Sequence, residues 1–263
     1  MTGVQTCALP ICYSRYQNEI ISDKIKFLPQ FTRNKLIKPF FNSLQYILNP
    51  DYHTYKKINA INKRLSEVDK DEIERYTERF IIFDKNDFGA YLQFNYDQHG
   101  LKNYYKPLKS KLKSRLLFDQ NTSLSEDMLT KVDRVTMANS LEARVPFLDY
   151  RIVEFSYKIP DSLLISGLKL KTFLKYAFQG ILPNNILYRR KHGFATPIDH
   201  WIRYDLKELV SDTLLSESNN KIKYLNFNNI IKLVNEHFNG ISNNGHKIFM
   251  LMVFVLWYKR WIS

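Results

Sequence analysis

The sequence predicts a mainly α-helical fold, and three observations support this prediction. Ile58, Ile61, Leu65 and Val68 recur at intervals that place them on one face of a helix. The apolar run Ile248–Tyr258 is long enough for a buried helix but too short to span a bilayer. Hydrophobic residues make up 44% of the 263 residues, so the chain can form a packed core.

The charge balance is strongly basic, with 39 Lys and Arg against 26 Asp and Glu and a net charge of +13. Such a charge suits nucleic acid, an anionic membrane or a phosphorylated ligand. The basic residues are scattered among Asn, Ile and Tyr, and no recognised nucleic-acid-binding motif accompanies them. We therefore interpret the charge as general basicity and expect no nucleic-acid or membrane partner.

The first twelve residues differ in character from the rest of the chain. They read MTGVQTCALPIC, contain no charged side chain, and lack the basic start and long apolar centre of a signal peptide. We interpret residues 1–12 as a non-native scar and assign residues 13–263 to the folded protein. Cys7 and Cys12 are the only cysteines, too few for a disulfide framework, so we expect a cytoplasmic protein.

The densest pattern in the chain lies within residues 124–155. Ser125, followed by two acidic residues, predicts a helix start, because its hydroxyl can accept from an unpaired backbone N–H. Met128, Val132 and Val135 follow at helical spacing. One face of this helix is therefore predicted to be buried.

Four charged residues accompany this helix. Asp133 and Arg134 lie beside the apolar face, and Glu142 and Arg144 follow within about three turns. The helix must end before Pro146, which disfavours helical angles at the preceding residue. The spacing of the four charged residues alone is typical of structural ion pairs at a turn between two helices.

A second helix is predicted after this turn, with Asp149 as its cap and Ile152, Phe155 and Ser156 on one side. A further apolar stripe is formed by Leu170, Phe173, Leu174, Ala177 and Phe178. Lys171 and Lys175 lie one turn apart on the flank of that stripe. Spacing alone makes such a pair typical of a solvated helix edge.

The amino-acid sequence of these segments also resembles that of a known protein family. VDRVTMANSLEARVPFLDYRIVEF closely resembles the signature of the glutamine-hydrolysing asparagine synthetases, in their carboxy-terminal synthetase domain. The resemblance covers the chain from about Tyr13 to its end. Further motifs follow in the family's order: Lys171-Thr-Phe-Leu-Lys175, Leu182-Pro183, Arg190-Lys191-His-Gly-Phe194, Pro197 and Trp201.

The resemblance implies a fold and a reaction. The fold would be the helical carboxy-terminal half of an α/β synthetase domain related to the adenine-nucleotide α-hydrolases. The intact enzyme would adenylate the side-chain carboxylate of aspartate with Mg-ATP and release pyrophosphate. Ammonia derived from glutamine would then attack the acyl-adenylate and leave asparagine and AMP. A homodimer is possible.

The resemblance also assigns roles to residues. Lys171 would reach the ATP phosphates, where a compact cation can neutralise developing charge. Lys191, in the R-x-K-x-G-F turn, would be a second cation beside the site. Glu142 could act on the proton of the ammonia nucleophile. The residues expected to form a buried charged network that shapes the site are Asp133, Arg134, Glu142 and Arg144.

Several parts of the family pattern are missing from this sequence. It contains no Gly-Gly pair, no Gly-rich phosphate loop and no glutaminase segment. We therefore expect the ligands for ATP-bound Mg²⁺ to lie upstream, no metal ligands in this half, and no activity from this fragment alone. Relatives that share the motif make other amides, so a related amidotransferase or a lactam or macrolactam synthetase is the alternative function.

Overall fold

The computed structural model describes residues 14–47, 58, 61–62, 64–93, 99–189, 196–216 and 222–262. Most of these residues are helical, and the strands among them form one two-stranded antiparallel sheet. This confirms the predicted fold class. The scar assigned to residues 1–12 lies outside the described residues.

In chain order the α-helices are α1 Ser14–Lys26, α2 Gln30–Thr32, α3 Lys38–Ile47, α4 Glu72–Thr77, α5 Lys85–Tyr91, α6 His99–Asn103, α7 Lys111–Asp119, α8 Thr130–Met137, α9 Tyr150–Lys158, α10 Asp161–Leu164, α11 Thr172–Ala177, α12 Asn184–Leu187, α13 Ile198–Arg203, α14 Lys207–Leu214, α15 Phe227–Phe238 and α16 Gly245–Trp261. Residues 61–62 and 64–67 are also helical. The π-helical segments are Arg33–Ile37 and Gln120–Leu129, and the 3₁₀ turns are Glu78–Phe80 and Pro146–Leu148. The strands are β1 Ile165–Ser166 and β2 Lys169–Leu170, with Ile165 opposite Leu170.

The helices form two compact units. The first contains the described residues within 1–77 and 99–191, and the second contains those within 78–98 and 192–263. Each unit has its own buried apolar residues. The segment with the family signature lies in the first unit.

The core of the first unit is rich in aromatic rings. Tyr76 packs edge-on against Phe118 and Tyr105, with ring centroids 5.7 and 6.2 Å apart. Leu65 and Val68 are buried, as the helical spacing of their segment predicts. Because these rings come from α4, α7 and the chain after α6, they fix α7 against the unit's interior.

A cluster of five charged residues, three of them buried and two partly buried, joins three helices of the first unit. Its acids are Glu19 and Asp23 of α1 and Glu72 of α4, and its bases are Arg75 of α4 and Arg115 of α7. Arg75 contacts Glu19 and Asp23, each at 2.9 Å. Arg115 contacts Glu72 at 2.9 Å and Asp23 at 3.2 Å. Charges this deeply buried are tolerated only when they are paired, so the cluster fixes the relative positions of α1, α4 and α7.

Asp119 extends these polar contacts to the last residue of α7. Its carboxylate accepts from the hydroxyls of Tyr16 and Tyr76, and Arg15 lies 3.1 Å away. Burial raises the pKa of the Asp119 carboxyl, while Arg15 and the two hydroxyls oppose that rise. The end of α7 is therefore fastened to α1 and α4 by a second buried group.

The second unit is built around α15 and α16. Ile248, Leu251 and Val255 of α16 are buried, which confirms the predicted terminal helix, whereas Trp257 is half-exposed and does not pack as expected. Gly245 begins α16 so close to α13 that a β-carbon there would lie 2.8 Å from the Asp199 Cα. A search of the described residues found no helix long and apolar enough to cross a membrane.

His237 is a buried connector within the second unit. Its Nδ1 accepts the backbone N–H of Asn244 at 3.1 Å, so the neutral ring carries its proton on Nε2 and donates to the Asp199 carbonyl. Arg203 donates to the carbonyl of His237 at 2.8 Å. Burial, together with the Arg203 guanidinium, lowers the pKa of His237.

The buried cluster generates a stability prediction. Arg115→Met leaves the buried Glu19 and the partly buried Asp23 and Glu72 short of a cation, so it should lower the free energy of unfolding by about 3–5 kcal/mol. Urea unfolding measures this change. Lys111→Met is the matched control, because Lys111 pairs with Glu72 from an exposed position and should change stability by less than about 0.5 kcal/mol. Equal effects of the two substitutions would contradict the prediction.

The buried imidazole generates a pH prediction. The folded ring stays neutral while the unfolded chain takes up a proton below about pH 6.5. The contribution of His237 to stability is therefore complete above that pH and is lost as pH falls towards the lowered folded pKa. Urea unfolding from pH 7.5 to 5 should show a steeper loss for the native chain than for His237→Gln. The exposed His246 provides the control, and His246→Gln should keep the native slope.

Candidate active site

The first part of the signature segment lies on one long, continuous helical rod of the first unit. It begins at Lys111, where the Ser110 hydroxyl accepts the Lys113 N–H at 3.1 Å. It continues through α7, the π-helical segment and α8 to Met137. Ser125 therefore does not start a helix as predicted. It lies inside the π-helical segment, where its carbonyl accepts from the Thr130 hydroxyl at 2.8 Å.

The π-helical segment is the unexpected part of this rod. π-helical geometry is rare and is frequently found at functional sites. The predicted apolar face is also only partly covered: Met128 and Val132 are half-buried, and Val135 is 60% exposed. The prediction of a buried face is therefore wrong for Val135, because helical spacing identifies a shared face but not what covers it.

The corner after α8 follows the sequence prediction. Val145 is extended, and Pro146 opens a 3₁₀ turn instead of continuing a helix. The Asp149 carboxylate then accepts the Arg151 N–H at 2.9 Å and caps α9, as predicted. Tyr157 of α9 donates to the side chain of Gln120 at 2.8 Å, which ties α9 to the start of the π-helical segment.

An open pocket of about 830 Å³ lies at this corner. It is bordered by α8, the loop before Pro146, and the start of α9. Its walls combine aliphatic side chains with two acids and two arginines, a composition that can hold a ligand with both apolar and charged parts. The lining residues are Leu129, Val132, Asp133, Ala143, Arg144, Val145, Pro146, Leu148, Asp149, Arg151 and Ile152.

The predicted buried network of four charges is wrong in this structure. Glu142 and Arg144 form an ion pair of 3.0 Å, but their side chains are 69% and 83% exposed. Asp133 and Arg134 are also exposed. The structure brings Asp133 and Arg144 to the same pocket, whereas Glu142 and Arg134 are not among its lining residues. Residues 141–145 form neither helix nor strand, and Glu142 and Arg144 pair with each other in solvent rather than inside the fold.

Arg151 is the site residue that sequence analysis missed. It makes two side-chain hydrogen bonds to Asp149, of 2.9 and 2.7 Å. These bonds and the backbone N–H of Arg151 lower the pKa of Asp149 to about 2. Asp149 was predicted as a cap alone, but it also lines the pocket with Arg151. The D-x-R spacing directly before a helix was the signal that could have revealed this pair.

Lys171 occupies a backbone position that is unusual for lysine. The hairpin of β1 and β2 turns at Gly167 and leads directly to Lys171. Lys171 has φ +59° and ψ +35°, the left-handed region, which is strained for a side chain other than glycine. Its carbonyl accepts from the Lys175 N–H at 2.9 Å. Lys171 is half-buried and does not line the pocket at the signature corner.

The neighbourhood of Lys171 is less buried than predicted. Of the apolar stripe, Leu170, Phe173, Leu174 and Phe178 are half-buried, and Ala177 is exposed. Lys175 does not point freely into solvent, because its Nζ lies 5.9 Å from the centre of the Tyr188 ring. Lys191 lies outside the described residues. Among the described residues, no three potential ligands from His, Cys, Asp and Glu are grouped as a metal site would require.

Comparisons with known proteins identify relatives of this chain. The chain is 36% identical over 140 residues to asparagine synthetase [glutamine-hydrolyzing] 1 of Bacillus subtilis. This alignment covers 53% of this chain and 22% of that protein. Asparagine synthetase [glutamine-hydrolyzing] 3 of the same organism is 43% identical over 68 residues, covering 26% of this chain and 11% of that protein. The rat asparagine synthetase [glutamine-hydrolyzing] is 31% identical over 124 residues, covering 43% and 20%.

These matches span only part of each protein, and the chain aligns with about a fifth of the length of the first of these relatives. No solved structure matches the chain. The family model described as asparagine synthase matches residues 9–261, nearly the whole sequence. The chain belongs to the asparagine synthase family.

Proposed function

We propose that this chain is the amide-forming part of a glutamine-dependent asparagine synthetase that acts in the cytoplasm. In the proposed reaction the side-chain carboxylate of aspartate attacks the α-phosphate of ATP and displaces pyrophosphate. Ammonia then attacks the acyl-adenylate and displaces AMP, leaving asparagine. The observation that carries the proposal is the pocket at the signature corner, in a chain whose family match runs from residue 9 to residue 261.

The composition of the pocket supports a ligand of this class. A volume of about 830 Å³ is within the range of small-molecule sites and sufficient for a nucleotide or an acyl-adenylate. Aliphatic walls can contact a ring, and the arginines can contact carboxylate or phosphate oxygens. When bound, ATP supplies the adenylyl group that turns a poor acyl donor into a good one. The Mg²⁺ that accompanies ATP would be held by residues other than the described ones, among which no three potential ligands are grouped.

Lys171 is the proposed phosphate cation. A lysine held by a strained backbone has fewer alternative directions for its stem, and strain of about 1–3 kcal/mol persists only where surrounding structure maintains it. The hairpin before Lys171 and the helix after it provide that structure. Its ammonium would neutralise charge on the departing pyrophosphate.

Glu142 is proposed to take a proton from ammonia during its attack. Its carboxylate is exposed and lies 3.0 Å from the guanidinium of Arg144, which lines the pocket. Asp149 is not the candidate base, because it accepts three hydrogen bonds from Arg151 and has a pKa of about 2, which makes it a poor proton acceptor.

A chimeric enzyme tests the proposal. Residues 13–263 would replace the corresponding part of asparagine synthetase 1 of Bacillus subtilis. We expect the chimera to form asparagine and pyrophosphate from aspartate, ATP and ammonium. A folded chimera that binds ATP but forms no asparagine would contradict the proposed function.

Two substitutions in that chimera test the residue roles. Lys171→Ala should reduce synthesis by roughly two to three orders of magnitude, as loss of a charge-stabilising group does. Glu142→Ala should reduce the ammonia-dependent rate by about 10²–10⁴, as loss of a general base does. Because both positions lie outside the buried core, each variant should unfold within about 1 kcal/mol of the parent.

The controls are Lys169→Ala and Glu154→Ala, which remove the same charges from exposed neighbouring positions. Both control variants should retain the parent rate. Melting temperature and synthesis rate are measured on the same samples. A fully active Lys171→Ala variant would exclude Lys171 from the phosphate site.

A further inference from the structure

The segment that joins α1 to α3 leaves large apolar side chains in contact with water. We call residues 24–41 the basic aromatic segment. Phe27, directly after α1, is 90% exposed, and Phe31 of α2 is 66% exposed. Leu36 and Phe40 are each 60% exposed. Several large exposed apolar side chains within one short segment indicate an interaction surface.

The exposed charge of the same segment has one sign. No acidic residue occurs between Asp23 and Asp51. Asp23 is already paired with two arginines of the charged cluster, at 2.9 and 3.2 Å. Lys24, Lys26 and Lys35 are exposed. A partner of this surface should therefore offer negative charge next to an apolar layer.

Two further cations hold the segment against the rest of the first unit. The buried Arg33 pairs with Asp69 at 2.6 Å. Lys38 donates to the Ser66 hydroxyl at 2.9 Å. The inner cations of the segment are thus used within the protein, and the three exposed lysines remain accessible to a partner.

The backbone donors at the tip of the segment, residues 27–29, are satisfied within the chain. The N–H of Phe27 donates to the carbonyl three residues earlier at 3.2 Å. The N–H of Leu28 does the same at 3.0 Å, and Pro29 has no N–H. Unsatisfied backbone groups are strongly disfavoured in hydrocarbon. This tip can therefore leave water without losing a hydrogen bond from a backbone donor.

We propose that the basic aromatic segment docks on the surface of an anionic phospholipid bilayer. The Phe27 and Phe31 side chains enter the boundary between headgroups and acyl chains, and the exposed lysines contact lipid phosphates. Lysine suits this position, because its stem covers apolar surface while its ammonium stays in water. The Nζ of Lys35 lies 5.8 Å from the centre of the Phe31 ring, which already places a cation beside an entering side chain.

The expectation of no membrane partner came from the scatter of basic residues over the whole chain. Within the basic aromatic segment the basic residues instead accompany exposed aromatic rings, and composition does not reveal exposure. Single-stranded nucleic acid is the other anionic partner that basic and aromatic side chains can bind. The tip favours a bilayer, since residues 27–29 offer neither a polar side chain nor a free backbone N–H for contacts with phosphates or bases.

Co-sedimentation of the full chain with lipid vesicles tests the proposal. We expect binding to vesicles of phosphatidylcholine mixed with phosphatidylglycerol to be roughly 100-fold tighter than to phosphatidylcholine alone, because each of three lysines contributes about fivefold. Added sodium chloride should weaken binding to the mixed vesicles, since salt screens the attraction between lysines and lipid phosphates.

Substitutions separate the apolar contribution from the charged one. Phe27→Ser and Phe31→Ser should each weaken binding to the mixed vesicles by roughly tenfold, because an aromatic side chain no longer leaves water. Replacing all three exposed lysines of the segment by Gln should remove the preference for phosphatidylglycerol. Melting temperatures of these variants should match that of the native chain, because the substituted side chains are exposed.

The matched controls are Tyr176→Ser and Lys169→Gln, which change an exposed aromatic and an exposed lysine of the same unit outside the segment. Both controls should bind the mixed vesicles as the native chain does. Equal binding to the two kinds of vesicle, or binding that Phe27→Ser and Phe31→Ser leave intact, would overturn the proposal. So would a chain that binds single-stranded oligonucleotides but no vesicles.

Discussion

Buried charge is the constraint on which the first unit depends. Two arginines and the Glu19 carboxylate are buried between α1, α4 and α7, and two further carboxylates are partly buried beside them; an unpaired buried charge there would cost several kcal/mol. Each arginine bridges acids from two helices or two turns, so no helix can shift without separating a pair. Arg115 makes α7 the common member, because it contacts acids of both α1 and α4.

The cluster also constrains the signature segment, because α7 is the first part of the continuous helical rod that leads into that segment. Asp119, the last residue of α7, accepts a hydrogen bond from the Tyr76 hydroxyl. The π-helical segment and α8 then continue the rod to the pocket. The charges of the pocket differ in kind from those of the cluster. Asp133, Arg144 and Arg151 are exposed, so a ligand can reach them without breaking a buried pair. The fold thus separates charges that hold helices together from charges that are free to meet a ligand.

Local features of the fold could be predicted from the sequence, whereas distant contacts could not. The Asp149 cap and the end of the helix before Pro146 depend on residues within a few positions, and both are confirmed. The cluster joins Glu19 to Arg75 and Arg115, far apart in sequence, and no spacing pattern reveals it. The predicted burial of Glu142 failed for a related reason, since spacing shows which residues are close but not which face is covered.

Hydrogen exchange across the rod tests most directly whether the buried cluster supports the signature segment. We compare amide protection in α8, Thr130–Met137, between Arg115→Met and Lys111→Met chains. If the rod is one cooperative element, Arg115→Met should reduce protection in α8 by about the same factor as in α7, although α8 lies more than ten residues away. Protection lost in α7 but retained in α8 would contradict the account, because the signature segment would then be held independently of the cluster.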